Sequence, residues 1–217
     1  MEDWQAHAAR EAGRYRDGGE RLPDDPDQRQ RQLTRMGNAA YGAGLAYLMA
    51  RDAEAGAWFE RAAEAYRQSW EHAPSGSWGR PIGAVKARLL AGDWDGAAAE
   101  AEWTLAEGAA EAESPIGRYA ASLALIVLGR GDEARPLAEG LREADFPGPV
   151  ADALVYLATE DPLGFDEAVA AVLDSFESRD EYLEDVPVAD TVLVLQALAA
   201  RRGMAVVDLA SPLLPRG

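Results

Sequence analysis

Four segments of the chain begin with proline and continue with a similar pattern of apolar and polar positions. They read PIGAVKARLL, PIGRYAASLA, PVADALVYLA and PVADTVLVLQ, and they start at Pro81, Pro115, Pro149 and Pro187. The successive spacings are 34, 34 and 38 residues. Proline suits the first turn of an α-helix because its φ is already helical and its missing N–H would be unpaired there. The pattern therefore predicts a helix at the start of each segment.

The apolar residues after Pro149 have helical spacing. Val150, Ala153, Leu154 and Leu157 lie at i, i+3, i+4 and i+7, so they share one helix face. Two of the four segments also carry an aspartate at their fourth position. A negative charge in a first turn suits the helix dipole, so these aspartates are interpreted as part of a helix start and not as functional groups. They are Asp152 and Asp190.

A second helix is predicted after each of the first three segments. The intervening turns read AGDWD, GRGD and EDPLGFD, and the second helices are expected to begin near Ala97, Ala134 and Ala168. Small residues at these points let two antiparallel helices approach closely. Pro136 lies near the start of one second helix, so that helix should begin late or bend. A period near 34 residues with two helices is typical of helix–turn–helix repeats.

An earlier segment without proline carries the same kind of helix pair. It contains Ala55, Phe59 and Ala62 in the order A-x3-F-x2-A, and Asp52 marks the turn before them. This small–aromatic–small pattern, with the turns GDWDGAA and GRGDEA, resembles the tetratricopeptide repeat. The resemblance covers roughly residues 36–176. It implies a right-handed array of antiparallel helix hairpins.

The predicted fold is all-α, in a single helical-repeat domain over residues 1–217. An N-terminal helix is expected at about 2–17, followed by a polar linker, DGGERLPDDPDQ. The later parts are repeat-like units at about 36–75, 81–112, 115–146 and 149–178, then a capping helix and tail at 187–217. The pattern predicts no strand, except for a short extended stretch at AVVDL.

The last predicted helix contains TVLVLQALAA, which is apolar nearly all round. Such a helix needs cover on more than one face. We expect the tail to fold back over it, because the tail belongs to the same chain and is itself apolar. The tail residues expected to provide this cover are Val206, Val207, Leu209, Leu213 and Leu214. A homodimer interface at the same place is the alternative.

Charge and composition limit the partners. The chain has 38 acidic and 21 basic residues, for a net charge of −17. This charge repels phosphate backbones, so nucleic-acid binding is disfavoured. It suits a cationic protein partner, or else it reflects the composition of a GC-rich or salt-adapted source. The sequence lacks an apolar run of membrane-spanning length, and its polar start lacks the apolar region of a secretory signal, which predicts a cytoplasmic protein that binds no membrane.

Few residues suggest catalytic or metal chemistry. The chain has no cysteine, and its histidines are His7 and His72, far apart in sequence. Neither histidine has the spacing of a zinc motif, and no glycine-rich nucleotide-binding pattern is present. We therefore expect no catalytic residues, no metal and no cofactor, although an enzyme that shows no known motif stays an alternative.

A small basic and aromatic set is expected on the first helices of the pairs, which line the concave face in tetratricopeptide-like arrays. Arginine forks and aromatic anchors of this kind suit a carboxylate or an acidic peptide. The alternative is that the tyrosines are half-buried packing residues and the cations pair with neighbouring acids. The candidate binding residues are Asn38, Tyr41, Lys86, Arg88, Arg118, Tyr119 and Tyr156.

The C-terminal third suggests a second resemblance, over about residues 163–215. It combines an acidic helix pair, an apolar helix that ends in Arg-Gly, and a V…S…LP tail. These features resemble the end of the immunity protein 49 family of bacterial polymorphic-toxin systems, which implies neutralisation of a cognate toxin. The expected function is thus a non-catalytic helical scaffold that binds a protein or peptide, with a cationic toxin as the most specific partner. The alternatives are a generic tetratricopeptide-like adaptor, an oligomerising protein, and a helical small-molecule-binding protein or an unrecognised enzyme.

Overall fold

The computed structural model describes residues 3–216 and is all-α over that range. The all-α prediction is confirmed, and no strand occurs among the described residues. Short 3₁₀ turns lie at Ala109–Glu111 and Leu183–Asp185. The α-helices are α1 (Trp4–Glu20), α2 (Pro26–Met49), α3 (Ala55–Trp70), α4 (Gly79–Leu90), α5 (Trp94–Ala106), α6 (Pro115–Val127), α7 (Gly131–Arg142), α8 (Gly148–Thr159), α9 (Pro162–Glu177) and α10 (Asp190–Arg201).

The helices from α1 to α9 pack in chain order, each mainly against the next. The first helices of successive pairs also contact one another, α2 with α4, α4 with α6, and α6 with α8, so they form one layer. The end of the chain then returns to this layer. The Leu183–Asp185 turn contacts α2, and α10 contacts α4 as well as α8 and α9. The C-terminal segment therefore covers part of the face that α2 and α4 present.

Three of the four prolines lie in the first turns of helices, as predicted. Pro115 begins α6, where the Ser114 hydroxyl accepts from the Gly117 N–H at 3.2 Å. Pro81 and Pro149 are the third and second residues of α4 and α8. For Pro187 the prediction is wrong, because α10 begins three residues later.

The chain around Pro187 is not helical, and it packs into the core instead. Val186 and Val188 are both buried against residues of α1 to α4, so this stretch is part of the N-terminal core. The Ala189 N–H just before α10 donates to the carbonyl of Leu213 at 2.9 Å, which pairs the entry of the helix with the tail. Tertiary burial therefore outweighs the helix-start preference of proline here.

Several predicted boundaries need correction. Helix α1 continues to Glu20, and α2 begins at Pro26 with Asp25 as its N-cap, so the linker shrinks to residues 21–25. The second helices begin at Trp94, Gly131 and Pro162, three to six residues before the expected alanines. Helices α5 and α9 gain these turns from the capping carboxylates of Asp93 and Asp161.

Helix α7 begins at Gly131 and runs through Pro136, so of the two predicted alternatives the late start is wrong and a bend stays a prediction. The alanines that mark the second helices are all buried, which agrees with close helix approach: Ala97, Ala134 and Ala168.

The tail folds back over the cluster that contains the apolar residues of α10, and the predicted cover of this helix is confirmed in this coarser form for four of its five residues. Leu213 and Leu214 are buried, and Val206 and Leu209 pack against the same cluster. The prediction is wrong for Val207, which is 39% exposed. Its carbonyl instead accepts from the Gln196 side chain of α10 at 3.0 Å.

Arg202 joins the end of α10 to the layer below it. Its guanidinium donates to the carbonyl of Ile126 at 2.7 Å and to that of Leu157 at 2.9 Å. Both carbonyls lie in the last turns of helices, α6 and α8, where a cation is favourable. No helix among the described residues has both the length and the apolar character needed to cross a bilayer.

Candidate functional site

A cleft of about 420 Å³ lies where α2, α3 and α4 meet the returning C-terminal segment. Its wall combines aromatic and apolar surface with a few polar groups. It is lined by Thr34, Asn38, Tyr41, Tyr66, Gly76, Ser77, Gly79, Arg80, Ile82, Gly83, Lys86, Leu183 and Asp190. The cleft therefore depends on residues from both ends of the chain.

Tyr66 comes from a second helix, α3, yet it reaches the cleft between α2 and α4. It does so because Gly37 and Gly83 leave room for its ring. A Cβ atom would lie 2.8 Å from the ring at Gly37 and 2.7 Å at Gly83, which is too close for any larger residue. The phenol donates to the Oδ1 of Asn38 at 2.9 Å. This hydrogen bond fixes the amide of Asn38 with its NH₂ group free to donate.

A largely buried ion pair forms the next part of the wall. The ammonium of Lys86 on α4 lies 2.5 Å from the Oδ2 of Asp190, the first residue of α10. The side chains are 12% and 16% exposed. The Tyr41 phenol donates to the same carboxylate oxygen at 2.8 Å, and Lys86 also contacts the Thr191 hydroxyl at 3.1 Å. Helices α2 and α4 are thus both joined to the distant α10 through one carboxylate.

Electrostatics keep this pair charged. Burial alone would raise the pKa of Asp190, but the ammonium of Lys86 and the hydrogen bonds from Lys86 and Tyr41 outweigh it, and the pKa is lowered. Burial alone would lower the pKa of Lys86, but the charge of Asp190 outweighs it, and the pKa is raised. Burial and the nearby carboxylates raise the pKa of Tyr66. At neutral pH the wall therefore carries an ion pair with no net charge, and its phenols are protonated.

Arg80 has a different environment. It is 9% exposed, and its Nε donates to the Thr34 hydroxyl at 3.0 Å while Nη2 donates to the side-chain oxygen of Gln30. Both acceptors are neutral. Its Nη1 is buried with no hydrogen-bond partner among the described residues. Burial lowers the pKa of Arg80, although a guanidinium remains charged at neutral pH.

Three of the predicted binding residues meet at the cleft: Asn38, Tyr41 and Lys86. Tyr119 lies near Lys86 but is buried, with its ring 5.3 Å from that of Phe146.

The other three predicted residues lie elsewhere. Arg88 pairs with Asp93 at 3.2 Å, between α4 and α5. Arg118 points toward α7, where its Nη1 approaches Gly140. Tyr156 packs over Gly164 of α9, where a Cβ would lie 2.5 Å from its ring. The predicted set thus includes part of the cleft, and its other members lie outside the cleft at other places along the layer of first helices.

Of the thirteen residues that line the cleft, ten were not predicted, and three of these matter most to its chemistry. Asp190 was read only as a helix-start charge, and it does lie in the first turn of α10. Arg80 precedes Pro81, and nothing in the sequence marks it as buried. Tyr66 lies on a second helix, α3, and the signal that could have found it is Gly37 and Gly83, which make room for its ring.

Among the described residues, no group of three or more acidic or histidine side chains could hold a metal ion. No family model, curated protein or solved structure matches the chain. The tetratricopeptide and immunity-protein resemblances therefore remain predictions, and inferences about function depend on the cleft.

Proposed function

We propose that this is a non-catalytic binding protein that holds a segment of a protein or peptide partner in the cleft. The observation that carries the proposal is the composition of the cleft wall, in which Tyr66, Ile82 and Leu183 supply apolar surface, Asn38 offers an amide NH₂, and Arg80 places a guanidinium with one buried, unpartnered nitrogen. Concave sites with mostly apolar walls and few polar groups are typical of ligand recognition.

The charge state of the cleft supports binding in preference to catalysis. A general base or nucleophile needs a free or activated group within reach of substrate. Lys86 and Asp190 neutralise each other, and the hydroxyl of the protonated Tyr41 phenol donates a hydrogen bond to Asp190. The polar groups left for a ligand include the Arg80 guanidinium and the NH₂ of Asn38, which suit recognition.

A narrower form of the proposal is that the partner is a toxin, which the protein neutralises. The net charge of −17 supports a cationic partner, because complementary charge speeds association and selects against acidic proteins. Its test is co-expression with a toxin encoded beside the chain. Rescued growth and a complex that weakens as salt is raised support this form, whereas unrescued growth refutes it.

The general proposal can be tested with a blocked cleft and a matched control. Gly79 and Gly148 are the first residues of α4 and α8, and a Cβ at either would meet no atom within 4 Å. Gly79 lines the cleft and Gly148 does not. Gly79→Trp should therefore fill the cleft without disturbing the fold, and Gly148→Trp should add the same side chain elsewhere.

Peptides are first selected from a random library on the wild-type protein, and their affinities are then measured for all three proteins. Selected peptides should bind the wild type and Gly148→Trp alike and bind Gly79→Trp about tenfold or more weakly, a loss of about 1.4 kcal/mol. A library that yields no binder, or binders that tolerate Gly79→Trp, would count against the cleft as the binding site.

A further inference from the structure

Among the described residues, Arg80 is a buried charge without an oppositely charged partner. Two acidic residues are also buried, Glu11 and Glu100. Glu11 contacts Arg10 at 2.7 Å and Arg14 at 3.0 Å, and Glu100 contacts Arg67 at 2.9 Å. No carboxylate among the described residues lies within ion-pair distance of Arg80, in a chain with 38 acidic residues and 21 basic ones. The absence of an acid is therefore unexpected on composition alone.

An unpaired buried charge is unfavourable, because it loses hydration and gains no opposite charge in return. The hydrogen bonds from Arg80 to Thr34 and Gln30 hold the guanidinium in place without neutralising it. Nη1 is left without an acceptor. An anion in the cleft would supply the missing charge and, after a small change of side-chain torsion, the missing hydrogen bond.

The surrounding groups indicate which anion fits. Lys86 is already neutralised by Asp190, so the net charge of the cleft wall is that of Arg80 alone. A singly charged group balances it, whereas a dianionic phosphate would leave excess negative charge near Asp190. The NH₂ of Asn38 offers a second donor, and Ile82, Leu183 and the Tyr66 ring offer apolar contact.

We propose that Arg80 anchors a carboxylate attached to an apolar or aromatic group, such as a peptide C-terminus or an acidic side chain beside an apolar one. This inference rests on the proposed binding function, because it specifies the ligand of the same cleft. Arg80 holds the carboxylate, and the apolar wall contacts the apolar or aromatic group to which the carboxylate is attached.

The test uses phenylacetate and the neutral, nearly isosteric phenylacetamide as probes, titrated into the full chain and followed by NMR. A charged hydrogen-bonded contact predicts that phenylacetate binds about tenfold or more tightly than phenylacetamide. Arg80→Met should abolish this preference. Arg88→Met is the matched control, since Arg88 lies on the same helix but outside the cleft and pairs with Asp93, so the preference should persist. Inorganic phosphate should compete weakly.

Arg80→Met has a second readout that does not involve a ligand. Removing an unpaired buried charge should leave the melting temperature unchanged or raised, whereas loss of a purely structural arginine would lower it. If this variant fails to fold, the wild-type comparison of the two probes still decides the question. Equal affinity for the probes, no binding of phenylacetate up to its solubility limit, or phosphate binding as tightly as phenylacetate would overturn the inference.

The two proposals can fail separately. If both probes bind equally and Gly79→Trp abolishes both, the cleft binds ligands but Arg80 is not an anion anchor. If phenylacetate is preferred but no library peptide binds, the carboxylate site stands and the peptide-binding function does not.

Discussion

The same four residues, Pro-Val-Ala-Asp, occur at the start of α8 and immediately at the entry to α10, where only the aspartate is helical. Their surroundings differ. Helix α8 starts at Gly148, one residue before its Pro-Val-Ala-Asp sequence, so Asp152 is the fifth helical residue. Its side chain is 43% exposed and pairs with Arg142 at 2.6 Å. Helix α10 starts at the aspartate itself, and Asp190 is shared by Lys86 and Tyr41 in a largely buried site. A shift of four positions in the helix start thus separates a surface ion pair from a buried one.

This difference shows which property the four residues encode. In both copies they lie at or near the start of a helix, where proline and aspartate are favourable. The environment of the aspartate is decided by what packs against that start. At α10, Val186 just before the four residues and Val188 within them are buried in the N-terminal core, and this burial brings Asp190 to Lys86.

The largest expected effect of a single change in this comparison is that of Asp190→Ala. It leaves the Lys86 ammonium buried without a counter-charge, which should cost about 3–5 kcal/mol of unfolding free energy. Urea unfolding monitored by circular dichroism measures the loss. A loss below about 1 kcal/mol would mean that the pair is solvated like the surface pair at Asp152.

Leu213→Ala should have the next largest effect, because Leu213 is the tail residue bonded to the entry of α10. Its side chain is buried, and its carbonyl accepts from the N–H of Ala189. Truncation to alanine should cost about 2 kcal/mol, at the low end for a buried leucine because the site lies near the surface. The same unfolding assay applies, and an unchanged midpoint would contradict the role of the tail at this helix.

A smaller effect is expected from acid, through the lowered pKa of Asp190. A carboxyl whose pKa is lowered by folding stabilises the fold fully above its unfolded value of about 3.9, and this contribution is lost as pH falls through the folded pKa. The difference in unfolding free energy between the wild type and Asp190→Asn should therefore be constant near neutral pH and narrow below about pH 4. A difference that persists unchanged at pH 3 would contradict a charged Asp190.

The smallest effect should come from Asp152→Ala. The Asp152 and Arg142 side chains are 43% and 36% exposed, and ion pairs in water contribute about 0.2–1 kcal/mol. Added salt should reduce even this effect. If Asp152→Ala were as damaging as Asp190→Ala, the two helix starts would be equivalent despite their different burial.

The helices were predictable because they depend on local patterns. Pro115 with its Ser114 cap and the apolar spacing after Pro149 indicate where α6 and α8 begin, and the all-α fold follows from such features. The start of α10 was not predictable in this way, since Val186 and Val188 are buried in a core formed by α1 to α4, far earlier in the chain.

The candidate site was predictable only in part. Asn38, Tyr41 and Lys86 stood out as polar or aromatic residues on first helices, and they do lie together. Tyr66 and Arg80 did not, because their positions depend on space left by glycines and on burial, which exist only after helices pack. Arg88 was chosen by the same rule as Lys86, but it lies two residues along α4 and therefore faces α5.

The connection between Lys86 and Asp190 has a consequence for the order of events during synthesis. The two residues are 104 positions apart. At a synthesis rate of about 5–20 residues per second, Lys86 is made about 5 to 20 s before its counter-ion. During that interval α2 and α4 can pair, but the cleft has no wall at Leu183 and Asp190. Nascent chains should thus gain their binding site only after α10 leaves the ribosome, which separates the moment of folding of the first helices from the moment of function.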